Sequence, residues 1–92
     1  MIKVSDQIRN LKAGRLVSIA AVKTGDNLKL YYHFSRDNEK EIGEFIIDAT
    51  EDVESILPLY PNALIFEAEI TEFYGTKFIG NELSGKRVFK GD

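Results

Sequence analysis

Leu28, Leu30, Tyr32 and Phe34 alternate with Lys29, Tyr31, His33 and Ser35, and a short turn cluster stands on each side of the run. A period of two marks a strand with one buried face. Thr24-Gly25-Asp26-Asn27 precedes it and Arg36-Asp37-Asn38 follows it, too little chain at either end for the crossover that a parallel neighbour requires. Residues 16–23, a mix of small and β-branched side chains, and residues 42–49, with Phe45 and Ile47 on one face, are therefore predicted to pair antiparallel with it. A three-stranded meander follows.

Helical patterns lie on both sides of the meander. Val4, Ile8 and Leu11 fall at i, i+4, i+7, with Ser5 and Asp6 near the start and Gly14 beyond, which predicts a short helix over 4–13. Thr50-Glu51-Asp52 reads as the cap of a second short helix ending near Leu57, because Pro58 disfavours helical geometry in its predecessor. Asn62 to Tyr74, stopped by Gly75, is the longest helical pattern, with Phe66, Ile70, Phe73 and Tyr74 as its apolar stripe. Residues 76–92 lack periodicity, and a strand or loop is expected around Phe78. The fold class is α+β: a small antiparallel sheet of three strands, or four if the Phe78 segment joins, with helices packed on one face. At 92 residues the chain fits a single domain with one modest core. That domain is expected over 1–81, with 82–92 as a flexible basic tail.

Composition narrows the chemistry. Without cysteine, this chain offers no disulfide framework, thiolate zinc site, cysteine nucleophile or iron–sulfur cluster of the usual ligation. Twelve basic against 15 acidic residues give a net charge of −3, which argues against a dedicated nucleic-acid binder. Lys3, Asp6, Arg9 and Lys12 interrupt every apolar stretch near the start, and the longest near-apolar run, 16–22, falls far short of the roughly 20 residues that span a bilayer. A soluble, cytoplasmic domain is the expectation. Charge is unevenly placed: residues 41–76 hold nine acids and no Lys or Arg, whereas Lys77, Lys86, Arg87 and Lys90 follow. Such an arrangement suits either a solvated acidic surface or two oppositely charged docking surfaces.

No catalytic, cofactor-binding or metal-ligating set stands out. His33, the single histidine, lies opposite Leu30, Tyr32 and Phe34 with no nucleophile motif in view, and reads as a solvated or interface-facing strand residue. Glu67 and Glu69 fall about 160° apart around the helix and cannot form a close acid/base pair. Glu69 and Glu72 share a face, but two carboxylates are few for a hard metal. The glycines at 75, 80, 85 and 91 make no nucleotide fingerprint. Gly85-Lys86-Arg87 is one basic cluster against an acidic domain. The competing reading is a free-standing enzyme or small-ligand binder that uses His33 and an acidic residue in a pocket.

Ser55 through Ala63, with Pro58, Tyr60 and Pro61, leads into Glu67-Ala68-Glu69-Ile70-Thr71-Glu72-Phe73-Tyr74-Gly75 and then Phe78 and Gly80-Asn81. This segment resembles the signature of the 30 kDa subunit family of respiratory complex I and of membrane-bound, energy-converting nickel–iron hydrogenases. Arg15 to Ile19 and Tyr32-His33-Phe34 resemble strands of the short hydrogenase-type members. The chain departs from the pattern at Ala68, where an arginine is usual, at Thr76, where an apolar residue is usual, and at Glu82, where proline is common.

The resemblance implies a subunit without a cofactor of its own, with nickel–iron and iron–sulfur centres in partner subunits. It implies packing on a large catalytic subunit in the soluble arm, at the cytoplasmic side of the cell membrane and held there by partners, with no nucleic-acid role. Glu67, Glu69, Glu72, Tyr74, Phe78, Asn81, Lys86 and Arg87 are then the expected partner-interface residues. Glu69 and Glu72 would meet basic groups, Phe78 would act as an apolar anchor, and the tail would order on binding. Gly75 and Gly80 carry backbone roles.

Overall fold

A computed structural model describes residues 1–10, 14–35 and 42–82 of the protein. Strands β1 (Arg15–Thr24), β2 (Asn27–Ser35) and β3 (Ile42–Asp48) form an antiparallel sheet in chain order. Its pairing places Ile19, Tyr32 and Phe45 in one row across the strands and Ala21, Leu30 and Ile47 in the next. These inward rows join Leu16 and Phe34 in the hydrophobic core. The meander is the predicted one, although the turn expected at Arg36-Asp37-Asn38 lies outside the described residues. Leu16 and Ile19 both face inward at a spacing of three because the register slips between Leu16 and Ser18. The extra residue, Val17, re-phases the strand as a β-bulge does.

Helix α1 covers Ser5–Asn10, with Val4 and Ile8 buried; Leu11, expected on the same face, lies outside the described residues. The short helix expected after Thr50 is absent. Val53–Glu54 is instead a strand, β4, that pairs parallel with β5 (Phe78–Ile79) and bridges Ile2 on its other side. Val53 N–H donates to the Lys77 carbonyl, Glu54 N–H to that of Ile2, and Ser55 N–H to that of Ile79. Backbone partners on both sides outweigh a local capping preference. The Phe78 segment accordingly builds this second small sheet and does not extend the meander.

Helix α2, Ala63–Tyr74, packs against β1, and the Asn62 side-chain amide donates to the Leu16 carbonyl at 2.9 Å. Its buried face differs from the predicted apolar stripe. Ala63, Glu67, Ala68, Ile70 and Thr71 are buried, whereas Phe73 and Tyr74 are exposed and Phe66 only partly covered. The true face is rotated by roughly 80° from the stripe, because small and polar side chains occupy it. The helix ends at Gly75, whose φ of 80° is left-handed and whose N–H donates to the Thr71 carbonyl at 2.8 Å. An added Cβ at Gly75 would meet nothing within 4 Å, so backbone conformation alone sets the cost of substitution. Gly75→Val is expected to destabilise the domain by about 1–2 kcal/mol, measurable as a lower melting temperature with unchanged far-UV circular dichroism.

Candidate functional site

The signature segment meets at one buried carboxylate. Glu67 has no exposed surface. Its Oε1 accepts from the Ser55 hydroxyl at 2.6 Å and from the Asn81 amide at 2.9 Å, and its Oε2 accepts from Ile56 N–H at 2.9 Å. Asn81 also donates to the Leu64 carbonyl at 3.2 Å, and the Ser55 oxygen accepts from Leu57 N–H at 3.1 Å. Burial pushes the Glu67 carboxyl above its ordinary 4.5, while the hydrogen bonds from Ser55, Asn81 and Ile56 oppose the shift. Gly80, with φ 104°, turns the chain so that Asn81 reaches the carboxylate. Thr71 closes the cluster below: its hydroxyl lies 3.1 Å from the Glu67 carbonyl and 2.5 Å from that of Thr76.

A second carboxylate, Glu54, belongs to β4 itself and directly precedes the residues that Glu67 holds. Glu54 Oε1 accepts from the N–H groups of Val4 and Ser5 at 2.9 and 3.0 Å, and Oε2 from the Ser5 hydroxyl at 2.8 Å. It thus satisfies the first donors of α1 from 49 residues away. The bond from Ser5 N–H leads the causes that hold the Glu54 carboxyl below 4.5. Tyr32, buried beneath the sheet, keeps its phenol proton far above the ordinary tyrosine range, through burial first and then the nearby charges of Glu67 and Glu54.

The residues expected at a partner interface therefore divide. Glu67, Phe78 and Asn81 are buried inside the domain, so their contacts are internal. Glu72 and Tyr74 are exposed, Glu69 is half-buried, and Lys86 and Arg87 lie outside the described residues. Among the described residues, several of the acids between 41 and 76 have partners within the chain: Glu54 and Glu67 as above, Glu44 with His33, Asp48 with Lys29, and Glu51 with the Met1 amino group. The acidic surface expected from composition is consequently reduced. What sequence reasoning missed is Ser55 and Glu54, whose only cue is a polar pair beside buried Val53 and Ile56.

His33 stands on the outer sheet face between Ser18 and Glu44, its cross-strand neighbours. With the proton on Nε2, the Ser18 hydroxyl donates to Nδ1 at 3.2 Å and Nε2–H donates to Glu44 at 2.9 Å. Hydroxyl, imidazole and carboxylate stand in the order of a nucleophile, base and orienting group. Yet the three described clefts, of about 520, 550 and 200 Å³, are lined elsewhere and include none of the three. Nothing in these clefts places a substrate against Ser18. Among the described residues no group of three His, Asp or Glu side chains is placed to hold a metal ion, and no helix is long and apolar enough to cross a membrane.

Removing the Glu67 carboxylate takes the acceptor from the buried Ile56 N–H and Ser55 hydroxyl and one acceptor from the Asn81 amide. Glu67→Ala is expected to cost about 3 kcal/mol, seen as a fall in melting temperature of more than about 10 °C. The two carboxylates also pull the pH profile in opposite directions. Stability from Glu54 is complete above 4.5 and is lost as pH falls through its lower folded value. Stability tied to protonated Glu67 is present below 4.5 and is lost as pH rises through its higher folded value. Denaturant titrations across this range are expected to show Glu54→Gln removing the acid-side loss and Glu67→Gln removing the decline above it.

No curated protein matches the chain. The family described as respiratory-chain NADH dehydrogenase, 30 Kd subunit, matches residues 1–90, which is nearly the whole chain and includes both carboxylate clusters. On that match, and on a fold whose signature residues converge on Glu67, the chain belongs to the family of the 30 Kd subunit of respiratory-chain NADH dehydrogenase.

Proposed function

We propose that this chain is a non-catalytic accessory subunit of a membrane-associated, complex I-like hydrogenase or NADH dehydrogenase, docked on the large catalytic subunit. The observation that carries this reading is the outer face of α2. Phe73 is 75% exposed there, two turns along the helix from exposed Ile65, with Glu69 and Glu72 on the same side. A large aromatic side chain left in water at helical spacing with an aliphatic one is the composition of an interface core, and carboxylates beside it suit a basic rim on the partner. The redox groups, nickel–iron and iron–sulfur, belong to partner chains, and the domain is held at the cytoplasmic side of the membrane through them. The hydrogenase-type assignment rests on the resemblance of the Arg15–Ile19 and Tyr32–Phe34 segments.

Co-production with a candidate large catalytic subunit tests the reading. Phe73→Glu is expected to lower co-purification of that subunit at least tenfold while the free domain keeps its melting temperature. Unchanged recovery overturns the docking face. Stoichiometric nickel or iron in the purified chain overturns the accessory role.

A further inference from the structure

The three-stranded sheet carries apolar side chains on both faces. Antiparallel sheets with one covered face ordinarily turn polar residues to water on the other. Here the outward central row is Ala20, Tyr31 and Ile46, paired directly across the three strands. Val22 stands in the next row, and Val22 and Ile46 are each 46% exposed. Tyr31 and His33 stack along β2 with ring centroids 6.4 Å apart and planes 22° from parallel, which makes a flat aromatic ridge.

The flanking rows define what this band accepts. On one side Lys29 pairs with Asp48 at 2.9 Å, and on the other His33 pairs with Glu44 at 2.9 Å. The central row itself carries no charged side chain, and each flanking carboxylate already has a hydrogen-bond donor. Size narrows the occupant further. Three strands at about 4.8 Å spacing span about 10 Å, the width of one helix, and the band covers on the order of 300 Å². A stable pair of identical chains needs about 800 Å² from each partner, so a second copy on this face alone falls well short. A single helix laid across it would cover the sheet as α2 covers the inner side.

We infer that the Ala20–Tyr31–Ile46 band is a second docking face and that its occupant is one amphipathic helix of a partner subunit presenting an uncharged apolar stripe. This rests on the reading of the chain as a subunit of an assembly, but it concerns a face opposite the inner side on which α2 packs. Because the central row is apolar and uncharged, the contact depends little on ionic strength.

The test uses the co-produced complex with a photocrosslinking residue at position 46. Crosslinks mapped by mass spectrometry are expected at one partner segment with apolar residues at i, i+3 or i+4 and i+7. Ile46→Lys and Tyr31→Lys are expected to lower recovery of that partner at least tenfold, equally at 0.1 and 0.5 M salt, with the melting temperature of the free domain unchanged. Ile46→Thr keeps the β-branched shape and serves where lysine disturbs folding; a several-fold loss is expected there. Crosslinks to a second copy of this chain, to a highly charged segment or to no partner overturn the inference. If Phe73→Glu abolishes recovery while the position 46 and 31 variants do not, the sheet-face inference fails and the α2 docking reading stands. If none of these variants lowers recovery, both fail.

Discussion

A carboxylate without exposed surface organises this domain. Glu67 is costly to bury, and its cost is met only because Ser55, Ile56 and Asn81 all donate to it. Those three donors come from the segment after β4 and from the turn after β5. One side chain on α2 therefore ties the helix to both strands of the small parallel sheet. Two-residue parallel strands have little stability of their own. With Glu67 on one side and the Ile2 bridge on the other, they become the seam that joins the N-terminal segment, the meander and α2.

The same cluster changes the meaning of the family signature. Its glutamate, glycines, phenylalanine and asparagine read in sequence as a surface presented to a partner. In the fold, Glu67, Phe78 and Asn81 are interior, and Gly75 and Gly80 supply left-handed backbone that returns the chain to them. The signature preserves a shape, and the surface available to other subunits is what that shape leaves outside. Glu54, the last residue of β4, repeats the device, supplying hydrogen-bond acceptors to a helix far away in sequence.

Charge behaves in a similar way. Nine acids without a base between 41 and 76 suggest a strongly negative face, yet more than half find partners in the chain. Asp48 and Glu51 meet a formal cation, whereas Glu54 and Glu67 are held by neutral donors that fix their place without cancelling their charge. What remains outside is a mixed surface: aromatic and acidic on α2, aliphatic and aromatic on the outer sheet face.

The chain alone determined the meander, because alternation bounded by short turns admits only antiparallel neighbours, and it determined the extent of α2, because Gly75 stops it through local backbone freedom. Its resemblance to the family was also legible, since that depends on residue identity and spacing. Only the tertiary structure decided which face of α2 is buried, that residues 53–54 form a strand, and that Glu67 and Glu54 are internal ties. Hydrophobic periodicity counts apolar side chains and has no term for a carboxylate whose burial is compensated by donors from distant segments. That compensation exists only once those segments have met.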